Sequence, residues 1–589
     1  RHRQVTNAVH EEGGKICLQL LHAGRYSYHP LSVSASSVKA PINPFRPRGL
    51  SNWGIWRQIK AYARAAKLAK EAGYDGVEIM ASEGYFLNQF TCVRTNKRDD
   101  QWGGSVENRC RLPVEVVKHV REAVGEDFII VYRLSMLDLV EGGNTWDDIV
   151  YQGKAVEAAG ATIINTGIGW HEARVPTIVT SVPRAAFAEV THRMKAELSI
   201  PLVTTNRIND PTVAEDIIAS GKADMVSMAR PLLADAAFVN KAADNRADEI
   251  NICIACNQAC LDHTFQLQRA SCLVNPRACY ETELNFEPTT APKHFAVVGA
   301  GPAGLAFSVE ASKRGHNVTL FDKAGEIGGQ FNMAKRIPGK EEFEFSLRYF
   351  ERQLELAGVT VKLNTEVSVE DLVADEFDEV VLATGVSPRV PDLGGIDHEK
   401  VLIYTDVLRN NAPVGKSVAV IGAGGIGFDV SEFLVQDTSP TLDAEAWFAE
   451  WGVDLTASSP GGLIPKHPEP PARTVYLLQR KDEKLGKRLG KTSGWVHRTS
   501  LMDKQVQMIG NVTYDRVDDA GLHIFIGDEP QVLEVDHVVI CAGQEPLREL
   551  LEGLEASGKP VHLIGGADVA AELDAKRAIR QASELAAAV

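Results

Sequence analysis

The stretch HFAVVGAGPAGLAFSVEASKRGHNVTLFD, residues 294–322, reads as a strand, a glycine turn, a helix and a second strand. Gly299, Gly301 and Gly304 stand in GxGxxG spacing, and Asp322 closes the second strand 18 residues after Gly304. The three glycines permit, in order, a tight turn, close approach of the backbone to a pyrophosphate, and tight helix–strand packing. The helix N-terminus then faces the phosphates, and an acid at the next strand end suits ribose hydroxyls. This predicts a dinucleotide fold.

A second copy follows at SVAVIGAGGIGFDVSEFL, with Gly422, Gly424 and Gly427 in the same arrangement. Its second strand, TVYLLQR, comes after an insertion of about residues 436–472 that is rich in Pro, Gly and Ser and is expected to be looped. That strand ends in Arg480 where the first copy has Asp322. A carboxylate there favours NADH, whereas an arginine welcomes a 2′-phosphate, so the second fold is expected to take NADPH. Two such folds in tandem suggest FAD in the first and NADPH in the second, with Gln330 of EIGGQF and Asp568 of HLIGGADVA as further FAD-side residues.

Working outward, residues 15 to about 230 alternate apolar strands with helix-period segments. The strand candidates lie at 15–21, 74–80, 128–134, 161–167, 201–206 and 223–229. Strands buried on both faces and separated by helices predict a parallel sheet, here a (β/α)8 barrel whose chemistry gathers at the strands' C-terminal ends. Only six strands can be counted, so the first two are expected ahead of Arg1, which is not a methionine and opens what reads as the end of a helix. Tyr85, Arg133, His171, Arg207 and Arg230 fall in or just past strand ends, the paired arginines suiting a phosphate.

Between the halves, CIACNQACLDHTFQLQRASC holds Cys253, Cys256, Cys260 and Cys272. A disulfide pair, a structural zinc and an iron–sulfur cluster all compete for this pattern. The 2-3-11 spacing departs from the two CxxC-type pairs usual for zinc, and clusters take four thiolates. The gross numbers narrow the partners. A chain of 589 residues suggests roughly three to four domains, and a net charge of −16 argues against a nucleic-acid or anionic-membrane surface. No apolar run reaches the length of a membrane span, and nine cysteines are too few for a disulfide scaffold, so a reducing cytoplasm is expected. No obligate protein partner is evident.

LQLLHAGRYSY, SEGYFLNQF, RTNKRDDQWGGS, YRLSMLDLVEGG, NTGIGWHEARVPT, TTNRINDP, DMVSMARP, CIACNQACLD, SCLVNPRAC and LGKTSGWVHR together resemble the bacterial NADPH-dependent 2,4-dienoyl-CoA reductases. Their wider family includes trimethylamine dehydrogenase and old-yellow-enzyme-like flavin oxidoreductases. The resemblance runs the length of the chain. It implies an FMN-binding barrel over 1–250, an iron–sulfur segment over 251–290, an FAD domain over 291–410 and 536–589, and an NADPH domain over 411–535. It further implies a [4Fe–4S] cluster on the four cysteines, and FMN contacted by Gln19, Arg133, Arg207, Ala229 and Arg230. Trp495 is placed at a cofactor, Tyr85 and His171 in catalysis, and Arg94, His171, Glu172, Ala173 and Arg174 against substrate. Electrons are expected to pass from NADPH to FAD, the cluster, FMN and a 2,4-dienoyl-CoA of unsaturated fatty acid β-oxidation. Alternatives on the same chassis are another enone or enoate reductase, an amine dehydrogenase, or a truncated NADPH–FAD diaphorase.

Overall fold

The computed structural model describes every residue except Asp375, Glu376 and Glu572. The chain divides into two compact units. The first comprises Arg1–Ile178, Val182–Met228 and Asp443–His467; the second comprises Val179–Ser181, Ala229–Leu442 and Pro468–Val589.

The first unit is built on six parallel strands: β1 (Cys17–Leu20), β2 (Gly76–Ala81), β3 (Ile129–Leu137), β4 (Ile163–Ile168), β5 (Leu202–Thr204) and β6 (Met225–Val226). They pair in sequence order, the adjacency of a (β/α)8 barrel, and all six lie where the apolar runs predict. The helices between them follow ordinary rules. Asn52–Glu71 starts at Ser51, whose side chain accepts from Gly54 N, and buries Ile55, Ile59, Tyr62, Ala66 and Ala69 at helical spacing. Trp146–Ala158 starts with a Thr145–Asp148 capping box.

The segment Asp443–His467 lies in the insertion of the second nucleotide fold yet packs within the barrel unit. It differs from the expected loop: Asp443 caps a helix, Ala444–Trp451, that ends at Gly452 in the left-handed conformation. Trp447 meets Phe187 edge-on at 6.1 Å, Leu139 N donates to Gly461 O at 2.9 Å, and Trp146 N donates to Ala457 O at 3.0 Å. Pro, Gly and Ser in the sequence hid a segment whose order comes from what it covers.

The second unit holds two parallel five-stranded sheets. One is ordered Thr360–Lys362, Asn317–Phe321, His294–Val298, Glu379–Leu382, Val561–Leu563; the other Val401–Ile403, His537–Ile540, Ser417–Ile421, Thr474–Leu478, Gln507–Ile509. These are the two doubly wound folds, each with its glycine-turn strand central. The expected cuts at 410/411 and 535/536 do not follow the ladders. Val401–Ile403 and His537–Ile540 pair with each other, and the latter pairs with Ser417–Ile421, so both strands belong to the second fold. The crossing point is the antiparallel pair Val386–Pro388 and Gln544–Pro546. Residues beyond Met228 likewise leave the barrel: Ala234 shares an apolar cluster with Cys253, Leu273 and Leu305.

At both turns the glycines are sterically required. A Cβ on Gly304 would lie 1.9 Å from Gly299 O, and one on Gly427 would lie 1.7 Å from Gly422 O. A Cβ on Gly301 or Gly424, the helix N-caps, would meet nothing within 4 Å, which leaves open the approach a pyrophosphate needs. Replacing Gly304 by Ala is expected to destabilise the second unit by about 1–3 kcal/mol and to lower its bound flavin content. Urea unfolding with flavin analysis of the purified protein measures both.

Candidate active site and cysteine cavity

The strand β2 runs into a turn that decides where Tyr85 sits. Glu83 and Gly84 have φ of 54° and 81°. A Cβ on Gly84 would approach both the Trp170 ring and the Tyr26 hydroxyl at 2.7 Å. The chain can pass here only as glycine, and Tyr85 then becomes the N-cap of Phe86–Thr91.

Tyr85 and His171 come together as expected, with ring centroids 4.9 Å apart and planes at 75°. His171 is exposed and Tyr85 half-buried. Tyr26 completes a triad, at 6.0 Å from Tyr85 and 5.7 Å from His171, both edge-on. Reduced solvation in this recess pushes the Tyr85 hydroxyl up to about 12; the neighbouring Glu83 carboxylate adds to the rise and Arg133 opposes it. His171, though exposed as a residue, is partly desolvated by the protein packed around its ring, which lowers its pKa from the ordinary value against the pull of Glu83. The pair is therefore a neutral phenol beside a neutral imidazole at pH 7, two groups able to hold or donate a proton without carrying charge.

Beside them, Arg133 of β3 forms an ion pair with Glu83 at 3.0 Å and stands 3.9 Å from Glu78 of β2. Glu78 also accepts from Gln19 Nε2 at 3.3 Å and Asn165 Nδ2 at 2.9 Å. Gln19 and Arg133 thus share one carboxylate partner at the strand ends. Arg207 is buried, with φ of 57°, and its Nε donates to Val182 O at 2.8 Å.

Of the run expected against substrate, Arg174 is exposed and Ala173 is buried. Glu172 and Arg94, named in the same run, bind each other. The Glu172 side chain is 0% exposed and is paired with Arg25, itself 1% exposed, through Arg25 Nη2 and Glu172 Oε2. Arg94 Nε donates to Glu172 Oε1 at 2.9 Å, and the Tyr26 hydroxyl donates to Oε2 at 3.0 Å. Behind this lies Asp138, also buried. It accepts from Ser135 Oγ (2.7 Å), Trp170 Nε1 (2.8 Å), Asn144 N (2.7 Å) and Asn144 Nδ2 (2.9 Å). The segments after β1, β2, β3 and β4 are tied by these two carboxylates. Sequence reasoning missed Arg25, Tyr26, Glu83 and Asp138 as site residues. HAGRYSY and SEGY contain three of them, but nothing local says which side chains meet.

In the second unit, Cys253, Cys256, Cys260 and Cys272 line one cavity with Arg230, Asn257 and apolar neighbours. All nine cysteines are free. Among the described residues no three His, Cys, Asp or Glu side chains converge tightly enough to hold one metal ion. Burial raises the pKa of Cys256 well above its ordinary value and that of Cys272 to about 12, and each is raised further by the other thiols. Backbone N–H groups of Gln258, Leu261, Val274 and Asn275 meet the sulfurs of Cys256, Cys260 and Cys272, a pattern that favours thiolate once a cation is present. Arg230, expected at a flavin phosphate, donates from Nη1 to Asn257 Oδ1 at 2.5 Å on this cavity's wall.

At the nucleotide turns, Asp322 accepts from Ala300 N (2.7 Å) and Ala324 N (2.8 Å), so it braces the glycine loop. Gln330 bonds Tyr404, and Asp568 accepts from Gln581 Nε2 at 2.8 Å. Arg480 is exposed at the end of Thr474–Leu478, and Trp495 lies half-buried in the helix Gly494–Asp503. No described helix is long and apolar enough to cross a membrane.

Comparison with known proteins accords with this division. Residues 1–249 match the NADH:flavin oxidoreductase / NADH oxidase family, and residues 293–576 match the pyridine nucleotide-disulphide oxidoreductase domain. A metal reductase of Desulforamulus reducens is 34% identical over 96% of this chain and 85% of its own. An NADH oxidase of Thermoanaerobacter brockii is 33% identical over 96% and 83%. Among solved structures, 2-naphthoyl-CoA reductase in complex with 2-naphthoyl-CoA aligns with a TM-score of 0.90 at 28% identity, covering 100% of this chain and 87% of that one. The fold and site define a flavin-dependent oxidoreductase. The chain belongs to the NADH:flavin oxidoreductase / NADH oxidase family, in the form that carries a second, FAD- and NAD(P)-binding half.

Breaking a buried ion pair from one side strands the other charge. Arg25→Met is expected to cost about 3–5 kcal/mol of barrel stability, read from the urea midpoint. Replacing the exposed Arg174 by Met is expected to change it by less than about 0.5 kcal/mol.

Proposed function

We propose that this protein is an NADPH-dependent 2,4-dienoyl-CoA reductase. The Tyr85–His171 pair at the barrel mouth carries this reading: a neutral phenol and a neutral imidazole in edge contact, placed by loops after two parallel strands of one sheet. Their pKa directions fit donation to a developing anion rather than abstraction from a cation. The 2-naphthoyl-CoA reductase likeness supports a conjugated acyl-CoA as substrate class, and the exposed Arg174 offers a cation for the CoA phosphates.

Bound FMN, FAD and a [4Fe–4S] cluster would supply the route by which an electron pair from NADPH reaches the thioester. Gln19, Arg133 and Arg207 would hold FMN; Gly299, Gly301, Gly304, Asp322, Gln330 and Asp568 would hold FAD; Cys253, Cys256, Cys260 and Cys272 would hold the cluster. Hydride addition at Cδ of a 2,4-dienoyl thioester leaves an extended enolate with charge on the thioester oxygen. His171 stabilises that oxygen by hydrogen bonding, and Tyr85 gives its hydroxyl proton to carbon and is reprotonated from solvent. Glu83 and Arg133 keep opposite charges beside the phenol in balance.

The test is anaerobic: iron, sulfide, FMN and FAD are assayed, the protein is reduced with NADPH, and a 2,4-dienoyl-CoA is added. Reoxidation is expected, flat from about pH 7 to about pH 10 because Tyr85 titrates higher and His171 lower than that range. Tyr85→Phe should slow reoxidation at least about 100-fold while NADPH still bleaches the FAD. An enzyme without iron, or one that stays bleached with the thioester, would sink the reading.

NADPH preference rests on Arg480, exposed at the strand end where a 2′-phosphate would lie. Arg480→Glu should raise KM for NADPH by at least about tenfold and leave KM for NADH within about threefold. Steady-state reduction of an artificial acceptor measures both.

A further inference from the structure

We propose that Tyr26 is a positioning residue for the Tyr85–His171 pair, held in place by Glu172. This rests on the reading of that pair given above and deepens it. On this proposal Glu172 and Arg94, expected against substrate, support the site.

The geometry closes on itself. The Tyr26 ring stands edge-on to both partners, 6.0 Å from Tyr85 and 5.7 Å from His171. Three aromatic rings at mutual edge contact fix one another's rotamers, since each fills the space into which another would turn. The ring is itself held at two points. Its hydroxyl donates to Glu172 Oε2 at 3.0 Å, and the Arg25 guanidinium lies 5.4 Å from its centroid. Arg25 also lies 5.5 Å from the Trp170 ring and donates to Lys39 O at 3.2 Å. Glu172 has no exposed side-chain surface and commits both oxygens to Arg25, Arg94 and Tyr26. A carboxylate so committed cannot turn toward a substrate without abandoning a buried arginine, which is strongly unfavourable. The chain pins the triad from a third direction as well: His171 N donates to Glu83 O at 3.3 Å, and Gly84 passes against the Tyr26 hydroxyl.

The consequence is chemical. Proton transfer from Tyr85 to one carbon of an extended enolate depends on the direction of its O–H, and misplacement by about 1 Å costs up to about 100-fold. The groups facing His171 are Glu83, Tyr26 and Tyr85. Removing the Tyr26 ring takes away one of the two aromatic edges packed against the imidazole, while removing only its hydroxyl loosens the ring on Glu172.

The test uses the holoenzyme and two variants. Tyr26→Phe keeps the ring and removes the bond to Glu172; Tyr26→Leu removes the ring edges. Two readouts are taken. One is the His171 titration by ¹⁵N NMR of histidine-labelled protein, assigned through the signal lost in His171→Gln. The other is the saturating rate of reoxidation by a 2,4-dienoyl-CoA, with the thioester Kd measured separately. Tyr26→Phe should slow the saturating rate about tenfold with Kd kept within about twofold. Tyr26→Leu should slow it about 100-fold and shift the His171 titration, because one of the two ring edges against the imidazole is gone. An unchanged His171 titration in Tyr26→Leu overturns the proposal. So does a weakened Kd with the saturating rate preserved, which would make Tyr26 a substrate contact. If wild-type enzyme fails to reduce the thioester, the parent reading falls, and the His171 titration still decides the role of Tyr26.

Discussion

Charge buried at a barrel mouth must be matched group for group, and that constraint organises this structure. Glu172 and Asp138 are carboxylates with almost no access to water. Leaving either unpaired costs several kcal/mol, more than most single contacts return. Each is instead saturated by partners from different loops: Arg25, Tyr26 and Arg94 for Glu172, and Ser135, Asn144 and Trp170 for Asp138. Loops carrying these residues cannot drift independently, because any one that moves leaves a charge without a partner. A rigid mouth follows from electrostatics as much as from packing.

On that frame the Tyr85–His171 pair is tuned by solvation. Tyr85 and His171 share a recess in which loss of water favours the neutral form of each, so one is raised and the other lowered. Glu83 acts on both and is held by Arg133, whose own charge works against it at the phenol. Glu83 and Arg133 thus bear on the charge state of the pair.

The second unit uses backbone rather than side chains for the same end. Its two glycine turns present helix N-termini and leave room where a phosphate would approach. The cysteine segment turns amide N–H groups toward its sulfurs, offering compensation for thiolate charge in an otherwise apolar wall. Arg230 adds the cationic side chain on that wall and opposes the rise of the Cys260 pKa that burial causes.

Local features could be read from the chain alone. Six apolar runs became six strands in order, since parallel strands buried on both faces must be apolar throughout. The two GxGxxG turns were legible because a Cβ at their third glycine would collide with a carbonyl five residues earlier, whatever surrounds them. Tyr85 and His171 were legible because strand ends of such a barrel converge. Partnership, by contrast, emerged only in the folded molecule. Arg25 and Glu172 are 147 residues apart, and no local pattern names one as the other's counter-ion. Arg230 read as a phosphate ligand and lies on the cysteine cavity; residues 401–403 and 537–540 read as one domain and ladder into another; a Pro- and Gly-rich insertion folded against the barrel. Periodicity and steric exclusion act over a few residues and are written in the chain. The pairing of buried charges and of strands is a choice among distant segments, settled by which arrangement best matches the polar groups that the core encloses.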